Sequence, residues 1–173
     1  SWARMCIRDS ASAAERLDLR RLDPGYRVYF EDHLDAPPVD VRTGHAEELV
    51  ESLEPGAGER LRAYLDSAGR VYELAKEHFL YTDFRRPADL ARPAVLRALP
   101  SLGPQLLGGL RAHVAARFRD PRIRQILGYP AVFLGTSPDR APAMYHLMSH
   151  LDLRDGVQYP IGGFAALVDA MAD

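Results

Sequence analysis

The stretch "YPIGGFAALVDAMAD", residues 159–173, changes character within a few residues. Tyr159-Pro160 is strand-like, Gly162-Gly163 follows at once, and the apolar run from Phe164 has helical spacing. Glycines between a strand and a helix let the backbone approach another group closely. The helix start beyond them offers N–H groups and a positive dipole end. That combination suits a phosphate or the edge of a cofactor ring, so Pro160, Ile161, Gly162 and Gly163 are the candidate cofactor-binding residues. A plain tight turn uses the same glycines. The spacing is not Gly-x-Gly-x-x-Gly, so a dinucleotide site built here alone is not expected.

Upstream of this junction, "GVQYP" (156–160) predicts a short strand. At the other end of the chain, "ERLDLRRLDPGYRVYFED" (15–32) predicts a β-hairpin. Leu17 and Leu19 alternate with Asp18 and Arg20, Tyr26, Val28 and Phe30 alternate with polar neighbours, and Asp23-Pro24-Gly25 supplies turn chemistry. "PPVDVRT" (37–43) adds a short strand, with Pro38 placing it at an edge or a strand start.

Everything between is helical in pattern. "HAEELVESL" (45–53) stops before Pro55-Gly56. The strongest helix spans 58–81, where Leu61, Tyr64, Leu65, Ala68, Val71, Tyr72, Ala75 and Phe79 form one apolar stripe. A segment over 87–100 is broken by Pro93, and another helix is expected over 102–118. Asp120 as N-cap, Pro121 at the first helical position and Gly128 past the end mark the next. Residues 131–135 are an apolar connector or a helix end. Ser137-Pro138-Asp139 and then Pro142 offer two starts for a helix through Met144, Leu147, Met148 and Leu151. Strands and helices do not alternate, which excludes a doubly wound fold. The expected class is α+β: one domain, 1–173, with a small antiparallel or mixed sheet and a five- to six-helix insertion over 44–152.

Composition narrows the function. Hydrophobic residues make up 47% and charged residues 27% of the 173, ordinary for a globular protein. A net charge of -2 gives no basic field, and no nucleic-acid motif is present, so nucleic acid is not an expected partner. The single cysteine, Cys6, forms no internal disulfide and fits a reducing, cytoplasmic setting. No secretory leader is visible, and the first residue is Ser, so the chain is expected to be a piece of a longer protein.

Other constellations are weaker. His146 and His150 stand at i, i+4, but no carboxylate lies between them as in the zinc hydrolases, so no metal site is assigned. Gly135-Thr136-Ser137-Pro138-Asp139 has Asp where a nucleophile elbow needs its second Gly. "RFRDPRIRQ" (117–125) is a solvated helix face or a contact for anionic headgroups. The interleaved Tyr64, Tyr72, Phe79, Tyr81, Phe84, Phe133, Met144, Tyr145 and Met148 are core or the lining of an apolar tunnel.

Taken together these segments are more specific. "LDPGYRVYFED" and "FLGTSPDRAPAMYHLMSHLDLRDGVQYPIGGFAALVDAM", in this order, resemble the phytoene desaturase family of FAD-dependent carotenoid desaturases, relatives of the amine oxidases, from about Glu15 to Met171. The resemblance implies an incomplete FAD-dependent oxidoreductase fold. It lacks the N-terminal Rossmann unit and represents the substrate-binding middle section, with 44–152 as a helical lid. It implies FAD in the full-length protein, held in part by residues 160–163, and no tight FAD binding or activity in this section alone. The implied substrate is an apolar isoprenoid or carotenoid, with Phe79, Phe84, Phe133, Leu134, Thr136, Met144, Tyr145 and Met148 lining its pocket. A peripheral contact with the inner membrane face is implied through Leu106, Leu107 and Leu110 beside Arg111, Arg117 and Arg119. Self-association through the hairpin and terminal strand is also expected.

Two departures leave the catalytic residue unassigned. Ile161 stands where many members carry Arg. Pro93-Ala94 replaces an Arg-Asp pair found in some bacterial members, with Asp89 the nearest carboxylate. The alternatives are a non-catalytic isoprenoid- or lipid-binding module, and a flavin oxidase or isomerase acting on another apolar substrate.

Overall fold

The computed structural model describes residues 17–31, 37–76 and 108–172. In chain order its elements are β1 (Leu19–Arg21), β2 (Tyr26–Val28), β3 (Val39–Val41), α1 (Ala46–Leu53), α2 (Ala57–Ala75), α3 (Leu110–Ala115), α4 (Pro121–Gly128), α5 (Leu147–His150), β4 (Gln158–Pro160) and α6 (Gly163–Ala172). A 3₁₀ segment, Tyr129–Leu134, follows α4, and another, Ala143–His146, precedes α5. The class is α+β. The chain divides into two compact units, Ser1–Ala46 with Leu151–Asp173, and Glu47–His150.

The first unit carries two separate two-stranded antiparallel sheets. β1 pairs with β4, Leu19 opposite Pro160 and Arg21 opposite Gln158. β2 pairs with β3, Tyr26 opposite Val41 and Val28 opposite Val39. The expected hairpin over 15–32 is therefore corrected: β1 and β2 are consecutive but do not pair. The turn between them explains why. The Leu22 N–H donates to the Val157 carbonyl (2.9 Å) and the Gly25 N–H to the Val41 carbonyl (2.9 Å), so each end of the turn extends a different ladder. A two-residue primed turn folds a strand back on its predecessor. Pro24, which has no N–H, donates to neither ladder. Across the second ladder Arg27 and Asp40, paired in register, form an ion pair at 2.5 Å. Gly156 (φ 82) lets the chain pass tightly over Thr43, where any Cβ would collide with the threonine side chain.

The second unit is built on α2. Leu61, Tyr64, Leu65, Ala68 and Val71 of its stripe are buried, as the 3–4 spacing predicts, while Tyr72 and Ala75 are half-buried. Phe79 lies outside the described residues. The N-cap of α2 is Gly56, which has no side chain to satisfy the first helical N–H groups. Glu51 does so instead, accepting from the Gly56 N–H at 2.8 Å and the Gly58 N–H at 2.9 Å. Glu54 reaches further: it pairs with Arg60 on α2 and accepts from the Arg119 and Asp120 N–H groups at 2.8 Å each. One carboxylate thus ties the α1–α2 turn to the segment entering α4.

Asp120 caps α4 as its position predicts, accepting from the Arg122 N–H at 2.8 Å, and Pro121 occupies the first turn. Gly128 is the last residue of α4 rather than the one beyond it, and its φ is right-handed at -84. Close approach is what requires glycine there, since a Cβ would stand 3.1 Å from Pro138 Cγ. The winding tightens into Tyr129–Leu134 and stops at Gly135, whose φ of 61 is left-handed. α3 begins only at Leu110, because Gly109 is extended (φ -81, ψ 146) and bridges to Pro142. The single helix expected after Pro142 changes winding twice, from 3₁₀ to α to a π-helical segment, Leu151–Asp155. No helix among the described residues is long and apolar enough to cross a membrane.

The Glu54 clamp generates a prediction. Glu54→Gln removes the charge opposite Arg60 and leaves one amide facing three donors, so the melting temperature falls. The Asp120 N–H, above all, holds the Glu54 carboxyl below its usual 4.5. A depressed carboxyl stabilises the fold above its unfolded value and loses that contribution as pH falls through the folded value. The difference between wild type and variant is therefore full above about pH 4.5 and shrinks below it. Thermal melts of both proteins across pH 3–7, about that range, measure it.

Candidate functional site

The strand–glycine–helix junction is formed as the sequence predicts. The β1–β4 ladder continues one step past Pro160, where the Ile161 N–H donates to the Asp18 carbonyl at 2.9 Å. Gly162 and Gly163 then take φ of 90 and 76 and open α6 directly. A Cβ on Gly162 would stand 3.2 Å from Ala166 Cβ, and one on Gly163 would stand 3.4 Å from the Tyr159 hydroxyl. With positive φ and these contacts, glycine is the residue that fits both positions. Pro160 is buried, whereas Ile161 is 54% exposed. Tyr159 meets Phe164 edge-on, with ring centroids 5.6 Å apart. Phe164 and Val168 are 67% and 63% exposed on α6. A bare turn at a helix N-terminus, rimmed by exposed apolar side chains, fits the edge of an aromatic ring system carrying polar groups.

The residues expected to line a substrate pocket fall into separate sets. Phe79 and Phe84 lie outside the described residues. Met144 packs with Leu74 and Leu147 against Val71 of α2. Tyr145 and Met148 are half-buried in the same stretch. Phe133 and Leu134 instead point outward from the 3₁₀ segment. Thr136 closes the turn behind them, its N–H donating to the Ala131 carbonyl at 3.3 Å.

A buried polar seam in the second unit escaped the sequence reading. Tyr64 of α2 is surrounded by three rings: His113 at 5.7 Å, Phe118 at 5.9 Å and His146 at 5.3 Å between centroids. The two imidazoles are 4.7 Å apart. His146 is fully buried, and its Nδ1 lies 2.9 Å from the Ala143 carbonyl, which can only accept. The proton therefore sits on Nδ1, and the bare Nε2 accepts from the Ser67 hydroxyl at 3.4 Å. His113 Nε2 has no hydrogen-bond partner among the described residues. Burial pulls His113 down to about 4, with Arg117 and His146 adding to the effect, and burial also lowers His146. Burial raises the Tyr64 phenol. The signal for His113 was in the sequence: it stands between Leu110 and Val114, on the same 3–4 stripe. His150 does share an α2-facing surface with His146, lying over Gly69 and stacking on Tyr72 at 6.1 Å. No cluster of three or more metal-ligating side chains occurs among the described residues.

No family model matches the chain. Among curated proteins it is similar to a carotenoid 3,4-desaturase of Haloarcula japonica, with 43% identity over 90% of this chain and 31% of the relative. It is also similar to a phytoene dehydrogenase of Streptomyces griseus, with 36% identity over 92% of this chain and 31% of the relative. A zeta-carotene-forming phytoene desaturase of Myxococcus xanthus is 32% identical over 90% of this chain and 29% of its own length. The chain therefore spans about a third of the length of these curated relatives.

The histidine seam predicts an acid-sensitive fold. A histidine with a depressed folded value resists protonation, so its protonation favours the unfolded chain. Stability is lost as pH falls from 6.5, the ordinary value, towards about 4 for His113. His113→Gln cannot titrate and removes that portion of the loss. Denaturation midpoints of both proteins between these pH values should diverge from each other as acid is added, with wild type falling faster.

Proposed function

Because this chain is a homologue of the carotenoid and phytoene desaturases over about 90% of its length, we propose that it is the substrate-binding section of an FAD-dependent desaturase. The substrate is a long, apolar isoprenoid. The observation that carries this reading is a match over about 90% of the chain to proteins named as carotenoid or phytoene desaturases or dehydrogenases.

The chemistry that FAD supplies to such a protein is two-electron oxidation of adjacent carbons. The residues of this chain position and shield. Gly162 and Gly163 keep side chains away from the turn, and the first N–H groups of α6 would hold the polar edge of the ring system. Ile161, Tyr159 and Phe164 would exclude water beside it. A C40 polyene has almost no polar handle, so its affinity comes from apolar area removed from water, at about 25 cal/mol per Å². Met144, Tyr145 and Met148 belong to the apolar wall that receives it, and Phe79 and Phe84 are assigned to that wall from the sequence alone. Met side chains suit a sliding, featureless ligand because they adapt without a fixed shape. Phe133, Leu134 and Thr136 sit on the outward turn, where an apolar chain first meets protein.

The test uses the full-length gene product with carotenoids of increasing conjugation. Products with added double bonds, read as red-shifted absorption after chromatography, are the expected result. Absence of any product from every carotenoid, in protein that retains flavin, rejects the reading. Gly162→Ala at φ 90 displaces the turn by filling the space beside Ala166 and lowers turnover by roughly 10²-fold, with loss of retained flavin. Wild-type flavin content and turnover in that variant would place the flavin elsewhere.

A further inference from the structure

We propose that the Tyr159 hydroxyl, together with the first N–H groups of α6, donates to the carbonyl edge of the flavin ring and stabilises the negative charge that this edge gains on reduction. The inference rests on the reading of the junction as a flavin contact, and it gives a chemical role to a side chain that the fold uses only in part. Tyr159 stands in the middle of β4, opposite Arg20 of β1. Side chains alternate along a strand. Pro160 is buried, whereas Tyr159 (41%) and Ile161 (54%) stand exposed on the other face. The ladder fixes the backbone at Tyr159, and the Ile161 N–H bond to the Asp18 carbonyl at 2.9 Å fixes it just beyond. Phe164 of α6 then meets the Tyr159 ring edge-on, at 5.6 Å between centroids and 80° between planes. The ring is thus held from strand and helix at once. That packing uses the ring alone. A phenylalanine would serve it equally, so the hydroxyl is left to be explained.

Its position explains it. A Cβ built on Gly163 would stand 3.4 Å from the Tyr159 oxygen, so that oxygen lies over the first residue of α6. A helix start leaves N–H groups without intrahelical acceptors and presents the positive end of the dipole. An O–H donor and N–H donors at one place favour an acceptor that gains negative charge. Gly162 and Gly163 put no side chain of their own between these donors and a ligand. Arg20, across the ladder from Tyr159, donates to the Asp18 carboxylate at 3.3 and 3.2 Å, so its guanidinium is committed elsewhere. The apolar rim of Ile161 and Phe164 keeps water off the hydrogen bond and so strengthens it. The carbonyl edge of a flavin is an acceptor of this kind, because charge delivered with a hydride equivalent spreads to the ring's carbonyl oxygens. Tyr159 keeps its proton throughout: it donates a hydrogen bond and transfers nothing.

The test uses the full-length gene product, stripped of flavin and titrated with FAD. Tyr159→Phe keeps the ring and its contact with Phe164 and removes the oxygen alone. The variant should bind FAD roughly tenfold more weakly than wild type. Its bound flavin should show a lower midpoint potential and a shifted absorption spectrum, neither of which a purely structural role would move. Tyr29→Phe alters a phenol that is 70% exposed elsewhere in the same unit, and it should match wild type in all three measurements. Equal thermal melting shows that the fold of Tyr159→Phe is intact. If it melts early, nitration of the wild-type protein by tetranitromethane, located by mass spectrometry, takes its place. Tyr159 should be nitrated without flavin and protected by FAD. Wild-type affinity, potential and spectrum in Tyr159→Phe overturn the inference and leave the flavin reading standing. So does a Tyr159 that is nitrated equally with and without FAD, or in neither case. Wild-type protein that takes up no FAD overturns the flavin reading itself, and this inference with it.

Discussion

The carboxylate of Glu54 is the constraint on which the second unit depends. It sits in the turn between α1 and α2, yet two of its bonds reach residues about 65 positions later in the chain. Neither helix it joins is held to the other by sequence proximity. By accepting the Arg119 and Asp120 N–H groups, Glu54 fixes where α4 begins. Asp120 then sets the direction of α4 as its N-cap. The exposed turn Tyr129–Leu134 grows from the end of α4 without a break, so its placement is inherited from that clamp. The same fixed point positions Phe118, which is buried against Tyr64.

Legibility in the sequence followed the range of the interaction responsible. α2 was readable because its apolar stripe repeats on one helix, and the residues it named as inward are the buried ones from Leu61 to Val71. The start of α4 was readable because Asp120 and Pro121 act on their own neighbours. The β1–β2 hairpin was misread because alternation reports only that a segment is extended. Partner choice was decided by hydrogen bonds from Leu22 and Gly25 to strands elsewhere in the chain. Gly128 was misread for a related reason: its role lies in contact with Pro138, which no local rule for helix ends contains. At the candidate site, Gly162-Gly163 was legible from composition alone, and its positive φ values follow from it. The His113–Tyr64–His146 seam was not, because its three members come from three segments and nothing local joins them.

The two units divide the physical tasks. In the first, glycine takes the positive φ values that turn strand β4 into α6 without a side chain of its own. In the second, side chains dominate, with a dry stripe on one side of α2, a polar seam through the unit, and apolar residues turned out at Tyr129–Leu134. The buried imidazoles resist protonation, so neither adds a charge next to Tyr64, where Arg117 is the nearby cation. An uncompensated charge there would be costly in a medium so poor in water.

The pairing of β1 with β4 also sets an order of events during synthesis. Leu19 and Pro160 meet across about 140 residues of chain, whereas Glu47–His150 is contiguous. On the ribosome the contiguous unit emerges whole and can close its short-range contacts first, as locally connected folds do. β1 leaves the exit tunnel early and waits for a partner made near the other end. Through that interval its edge is open, with Leu19 and Leu22 beside three arginines, Arg20, Arg21 and Arg27. Charged side chains of both signs along a waiting edge, Asp18 and Asp23 among the arginines, discourage pairing with another nascent chain.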